Sequence, residues 1–126
     1  MSAVLDASAL MAWLRDEDGA DQVDEHIEGG VIGAVNLSEV AQKISQHGGD
    51  GSRAAAEVLG MGLVLTPFAG EDALATAELW PRTHAHGLSL GDRACLALAH
   101  RLDRPALTAD QAWKTLDLDV EIQLIR

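Results

Sequence analysis

Ala3-Val4-Leu5-Asp6-Ala7-Ser8-Ala9-Leu10 runs two β-competent apolar residues straight into an aspartate. A helical pattern starts at once, with Leu10, Trp13 and Leu14 at helical spacing. An acid at the C-terminal end of a leading strand, in front of a helix, stands where open α/β sheets keep their ligands. This short unit predicts an α/β protein in which Asp6 belongs to a site.

The rest of the chain repeats the same alternation. Residues 31–35, 63–66, 105–108 and 120–124 read as further strands, the last an alternating, half-exposed edge strand. Between them lie helical patterns over about 20–27, 36–46, 51–59 and 71–79. A strongly apolar helix then reaches Leu102, and residues 110–113 form a short helical turn. Gly29-Gly30, Gly48-Gly49, Gly60 and Pro81 punctuate the pattern as helix stops. The glycine pairs fit neither a dinucleotide fingerprint nor a phosphate-binding loop. Strands alternating with helices predict a single α/β domain over residues 1–126, its central, mostly parallel sheet of about five strands flanked by helices.

Composition narrows the function. The net charge is −11, against a protein that binds nucleic acid through a basic surface. Crowded carboxylates need a compensating cation, and the acidic excess suits a basic partner segment. The aromatics are Trp13, Phe68, Trp80 and Trp113, so Leu, Val, Ile and Ala must build the core. Cys95 is the only cysteine and sits in an apolar run, where it reads as a small buried hydrophobe. No segment is apolar enough to span a membrane, and Asp6 interrupts any signal-peptide pattern; the expected location is cytoplasmic.

Four acids stand out: Asp6, Glu39, Asp92 and Asp110. Each has a purely structural explanation. Asp6 and Asp110 suit helix N-caps, Asn36-x-x-Glu39 suits a capping box, and Ser89-x-x-Asp92 suits a looser one. Their conjunction says more. Asp6, Glu39 and Asp110 each closely follow a strand, and Asp92 begins the apolar helix, so a parallel sheet gathers all four along one edge. Helix N-termini offset only a fraction of the resulting repulsion. Carboxylate oxygens without paired Cys or His favour Mg²⁺, or Mn²⁺ in its place, over zinc. Such an ion suits phosphodiester hydrolysis.

The segments Val4-Leu5-Asp6-Ala7-Ser8-Ala9-Leu10, Asn36-Leu37-Ser38-Glu39-Val40, Leu88-Ser89-Leu90-Gly91-Asp92-Arg93-Ala94 and Leu107-Thr108-Ala109-Asp110-Gln111-Ala112-Trp113 resemble, in order and spacing, the four blocks of PIN-domain ribonucleases. Coverage of nearly the whole chain resembles a VapC-like toxin of a type II toxin–antitoxin pair. The resemblance implies an Mg²⁺-dependent endoribonuclease acting on RNA, a homodimer, silenced by a cognate antitoxin. It implies Asp6 and Asp92 as principal metal ligands, with Asp110 and Glu39 completing the catalytic pocket. Ser8, Asn36 and Thr108 are the expected hydrogen-bonding support around them. Arg15, Lys43, Arg53, Arg82 and Arg93 are the candidate RNA-backbone contacts. Asp117 and Asp119 read as solvated, and His84-x-His86 as a loop pair without the partners zinc requires.

Two rivals remain at this point. A phospho-acceptor receiver domain also gathers acids at a parallel sheet edge, but it needs an acceptor aspartate after a middle strand, where Thr66-Pro67 stands. A PIN-like module that binds without turnover would keep the fold and lose the chemistry.

Overall fold

The computed structural model describes residues 2–126. Five strands, β1 (Val4–Leu5), β2 (Val31–Gly33), β3 (Val64–Thr66), β4 (Ala106–Thr108) and β5 (Ile122–Leu124), form one sheet in the order β3-β2-β1-β4-β5. All four pairings are parallel, with Val4 beside Val31 on one side and Ala106 on the other. The chain therefore builds outward from β1 in one direction, then returns and builds in the other. The reversal falls at β1 and β4, and in open α/β sheets ligands bind beyond the C-terminal strand ends at such a point. A receiver-type sheet has the order 2-1-3-4-5 instead, so that rival is excluded by topology.

Seven helices connect the strands among the described residues: α1 (Ala7–Leu14), α2 (Ala20–Asp24), α3 (Ala34–Gln46), α4 (Gly51–Gly60), α5 (Gly70–Glu78), α6 (Trp80–Thr83) and α7 (Leu90–Leu102). Two apolar clusters hold them on the sheet. One gathers Leu5, Leu10, Val23, Ile32, Val40 and Val58, packing α1 to α4 against it. The other gathers Val4, Cys95, Leu96, Leu98 and Trp113 around α7. As the apolar run from Ala94 to Ala99 predicts, α7 is buried along its middle. Among the described residues no helix is long and apolar enough to cross a membrane.

Three details depart from the sequence reading. The 31–35 strand stops at Gly33, and α3 begins at Ala34 with Gly33 as its extended N-cap. Asn36 is thus inside the first turn, not the cap, and the proposed Asn36–Glu39 capping box does not form. The second helix ends at Asp24 rather than near Ile27, because the chain turns toward Gly29, whose φ of +83° suits glycine. His84–His86 is a 3-10 turn rather than an open loop, with His84 stacked on Trp80 at 4.1 Å.

Candidate metal-binding acidic site

Asp6 leaves β1 and caps α1, its Oδ1 accepting from the backbone N–H of Ala9 at 2.8 Å. Extended backbone at Asp6 aims the side chain back over the first turn. Ser8 donates to the same carboxylate at 2.7 Å, and Thr108, at the end of β4, donates to Oδ2 from the other side. The strand that Thr108 terminates is hydrogen-bonded to β1, so sheet register delivers this hydroxyl to Asp6. The backbone N–H of Ala109 donates to Ser8 Oγ and that of Asp110 to Thr108 Oγ1. Ser8 and Thr108 therefore both donate to the Asp6 carboxylate.

Asp6 is 2 % exposed. Burial pushes its carboxyl from 3.8 up to about 6, against the pull of the Thr108, Ala9 and Ser8 hydrogen bonds, and the negative charge of Asp92 pushes it further. No basic side chain enters this balance. Glu39 is also raised, first by burial, then by Asp92, while hydrogen bonding from Asn36 and the charge of Lys43 lower it. The fully buried Cys95 thiol is raised, first by burial and then by the charges of Asp6, Asp92 and Glu39. It is the small buried hydrophobe anticipated.

Each acid nevertheless faces its own helix. Asp92 closes a capping box, accepting from Ser89 N–H at 2.9 Å while its own N–H donates to Ser89 Oγ at 3.2 Å. Asp110 caps a 3-10 turn (Gln111–Thr115) through Ala112 N–H at 2.9 Å. It joins the network through its backbone N–H on Thr108, not through its carboxylate. Glu39 accepts from Asn36 at 3.0 Å. Among the described residues no three His, Cys, Asp or Glu side chains form a ready-made cluster for an ion. The capping explanations for Asp6, Asp92 and Asp110 are all realised.

The donor set still fits a hard divalent cation. The acceptors are oxygens, Asp6 is buried without a counter-charge, and Asp92 raises both Asp6 and Glu39. Of the cations proposed for RNA, Lys43 is near enough to Glu39 to lower its carboxyl. Arg93 turns inward to the carbonyl of Thr76 at 3.0 Å. Arg53 pairs with Glu57, and Arg82 donates to the Asp117 carbonyl. Asp119 is solvated beside His100, and Asp117 is exposed, as expected.

The profile of the PIN domain family matches residues 3–118, and the chain belongs to that family. Solved structures share the fold at low identity. One is a toxin–antitoxin complex from Klebsiella pneumoniae, at 16 % identity and TM-score 0.75, with 99 % of this chain and 98 % of that chain covered. A second is VapC20 from Mycobacterium tuberculosis, a sarcin–ricin-loop-cleaving toxin, at 16 % identity and TM-score 0.75, with 95 % and 99 % covered. A third is FitAcB from Neisseria gonorrhoeae, at 18 % identity and TM-score 0.72, with 98 % and 97 % covered. No curated protein matches the sequence.

Proposed function

We propose that this PIN-domain protein is a divalent-metal-dependent endoribonuclease, the toxin of a type II toxin–antitoxin pair. The carrying observation is Asp6: a carboxylate 2 % exposed, at the point where the sheet order reverses, held by hydroxyls and an N–H, with no cation of its own. Asp6, Asp92 and Asp110 would hold Mg²⁺, for which Mn²⁺ substitutes, with Glu39 completing the catalytic carboxylates. When bound, such an ion would supply Lewis-acid activation of water and charge stabilisation at the scissile phosphate.

The chain's own residues do the rest. Ser8 and Thr108 fix the rotamer of Asp6 and leave little freedom for its oxygens. Asn36 holds Glu39. Lys43, exposed near Glu39, would be the cation that meets a phosphate. Repulsion between the acids and the RNA backbone makes activity strictly metal-dependent.

Family membership supports the nuclease reading. Fold similarity to toxin–antitoxin complexes supports a cognate antitoxin partner, and similarity to VapC20 supports RNA as substrate. A homodimer is part of the same proposal. Purified protein should cut RNA in Mg²⁺, stop in EDTA, and recover with Mg²⁺ or Mn²⁺. Cleavage that persists unchanged in chelator would overturn the metal mechanism, and absence of any cleavage under all metals would favour a binding-only module.

A further inference from the structure

Glu39 reaches the site from the second turn of α3, and Asp92 from the first turn of α7. These helices are far apart in sequence, and their approach has a specific fastening. The buried Asn36 amide, 1 % exposed, donates through Nδ2 both to Glu39 Oε1 at 3.0 Å and to the backbone carbonyl of Gly91 at 3.0 Å. Both neighbours are acceptors, so the amide must present its NH₂ group here. Its Oδ1 is buried without a partner. Leaving that oxygen unpaired costs stability, which a purely structural residue of the same size, such as Leu, would avoid.

The other half of the fastening is Gly91, immediately before Asp92. A Cβ on Gly91 would land inside the Glu39 carboxylate, 2.6 Å from Oε2 and 2.5 Å from Cδ. Glycine in the first turn of a helix sacrifices propensity. Its backbone is not in the left-handed region here, so conformation does not demand it. The Glu39 carboxylate, the far end of a flexible side chain, fills the place that a side chain on Gly91 would take.

We infer that Asn36 and Gly91 are positioning residues, an amide clamp and a side-chain vacancy that together seat Glu39 on the first turn of α7 beside Asp92. The inference rests on the proposed metal site, because it gives the purpose for which Glu39 and Asp92 are brought together. Asn36 acts through Glu39, and Gly91 admits it.

Two cycles of variants test this. In the first, Mn²⁺ binding is measured by calorimetry on wild type, Asn36→Leu, Glu39→Ala and the double variant, with the melting temperature of each metal-free protein. Asn36→Leu should weaken Mn²⁺ binding about 10-fold or more, the scale of lost support around a ligand, without lowering the melting temperature. In the Glu39→Ala background the same change should have no further effect on Mn²⁺ affinity. Equal weakening in both backgrounds would overturn the clamp while sparing the metal site. Wild-type protein that binds no Mn²⁺ would overturn the metal site, and with it the clamp's purpose.

The second cycle needs no metal. Gly91→Ala should raise the melting temperature more in the Glu39→Ala background, where helix propensity acts alone, than in the wild-type chain, where the Glu39 carboxylate must also be displaced. An equal change with and without Glu39 would overturn the steric half of the inference.

Discussion

Among the described residues two aspartates are buried, and the fold treats them in opposite ways. Asp72, 6 % exposed in the first turn of α5, carries its counter-charge with it: Arg101 of α7 lies 2.9 Å from Oδ1, while Oδ2 accepts from the Ala69 N–H at 2.8 Å. Asp6, 2 % exposed at the sheet edge, has hydroxyl and amide donors only, and its nearest influential charge is another acid. Burying a charge is costly unless it is paired. The α5–α7 junction meets that cost from within the chain. The sheet edge leaves it outstanding, as the proposed site for an external cation would.

Activity should break this comparison most sharply. Asp92→Asn removes a charged ligand candidate while its amide oxygen still accepts from Ser89 N–H and preserves the cap. Metal stabilisation of a phosphoryl transition state amounts to several kcal/mol, so RNA cleavage should fall about 1,000-fold or more with the circular-dichroism spectrum unchanged. Wild-type cleavage by Asp92→Asn would show that the sheet-edge acids are only caps. Asp72→Ala should show the converse. It strips a cap and strands Arg101, whose side chain is 38 % exposed and so partly relieved by water. Denaturant melts should show a loss of about 2 kcal/mol, with cleavage per folded molecule retained.

Much of this contrast is legible in the sequence, and the illegible part has a physical pattern. Asp6, the Ser89–Asp92 box and the Asp110 turn are local motifs: residue type, spacing and a following helix suffice to place them. Glu39 lies on a helix, as the sequence reading has it, yet that helix starts two residues earlier, at Ala34. Ala34 and Val35 continue a short apolar run that suits a buried strand or a buried helix equally, so periodicity cannot decide between them. Register between β1 and β4, which delivers Thr108 to Asp6, follows once the sheet is recognised as parallel. Fastenings between distant helices leave no such trace. Arg101 and Asp72 are 29 residues apart, Asn36 and Gly91 are 55 apart, and nothing local announces either pair. The inward turn of Arg93 to Thr76 is invisible for the same reason. Gly91 gave only the weak signal of a glycine placed where a helix prefers a side chain.

The smallest effect is the most diagnostic, because it reverses the sign expected of a buried polar substitution. The carboxyl of Asp6 is raised from 3.8 to about 6 in the folded chain. Between those values the native state binds more protons than the unfolded one, so stability falls as pH rises. The favourable contribution is complete below pH 3.8 and is lost as pH passes through about 6. At neutral pH the metal-free protein therefore carries a penalty of up to about 3 kcal/mol. Asp6→Asn keeps the cap, which Asn serves as well as Asp, and carries no charge to desolvate. Metal-free Asp6→Asn should be more stable than wild type at pH 7.5 by about 1–2 kcal/mol, and the difference should vanish near pH 4. Saturating Mg²⁺ should raise the melting temperature of wild type alone, since ligand binding stabilises only the protein that binds it. Urea melts at both pH values check each part. Were Asp6→Asn to destabilise the metal-free protein at pH 7.5, as Asp72→Ala does, the two aspartates would be the same kind of residue.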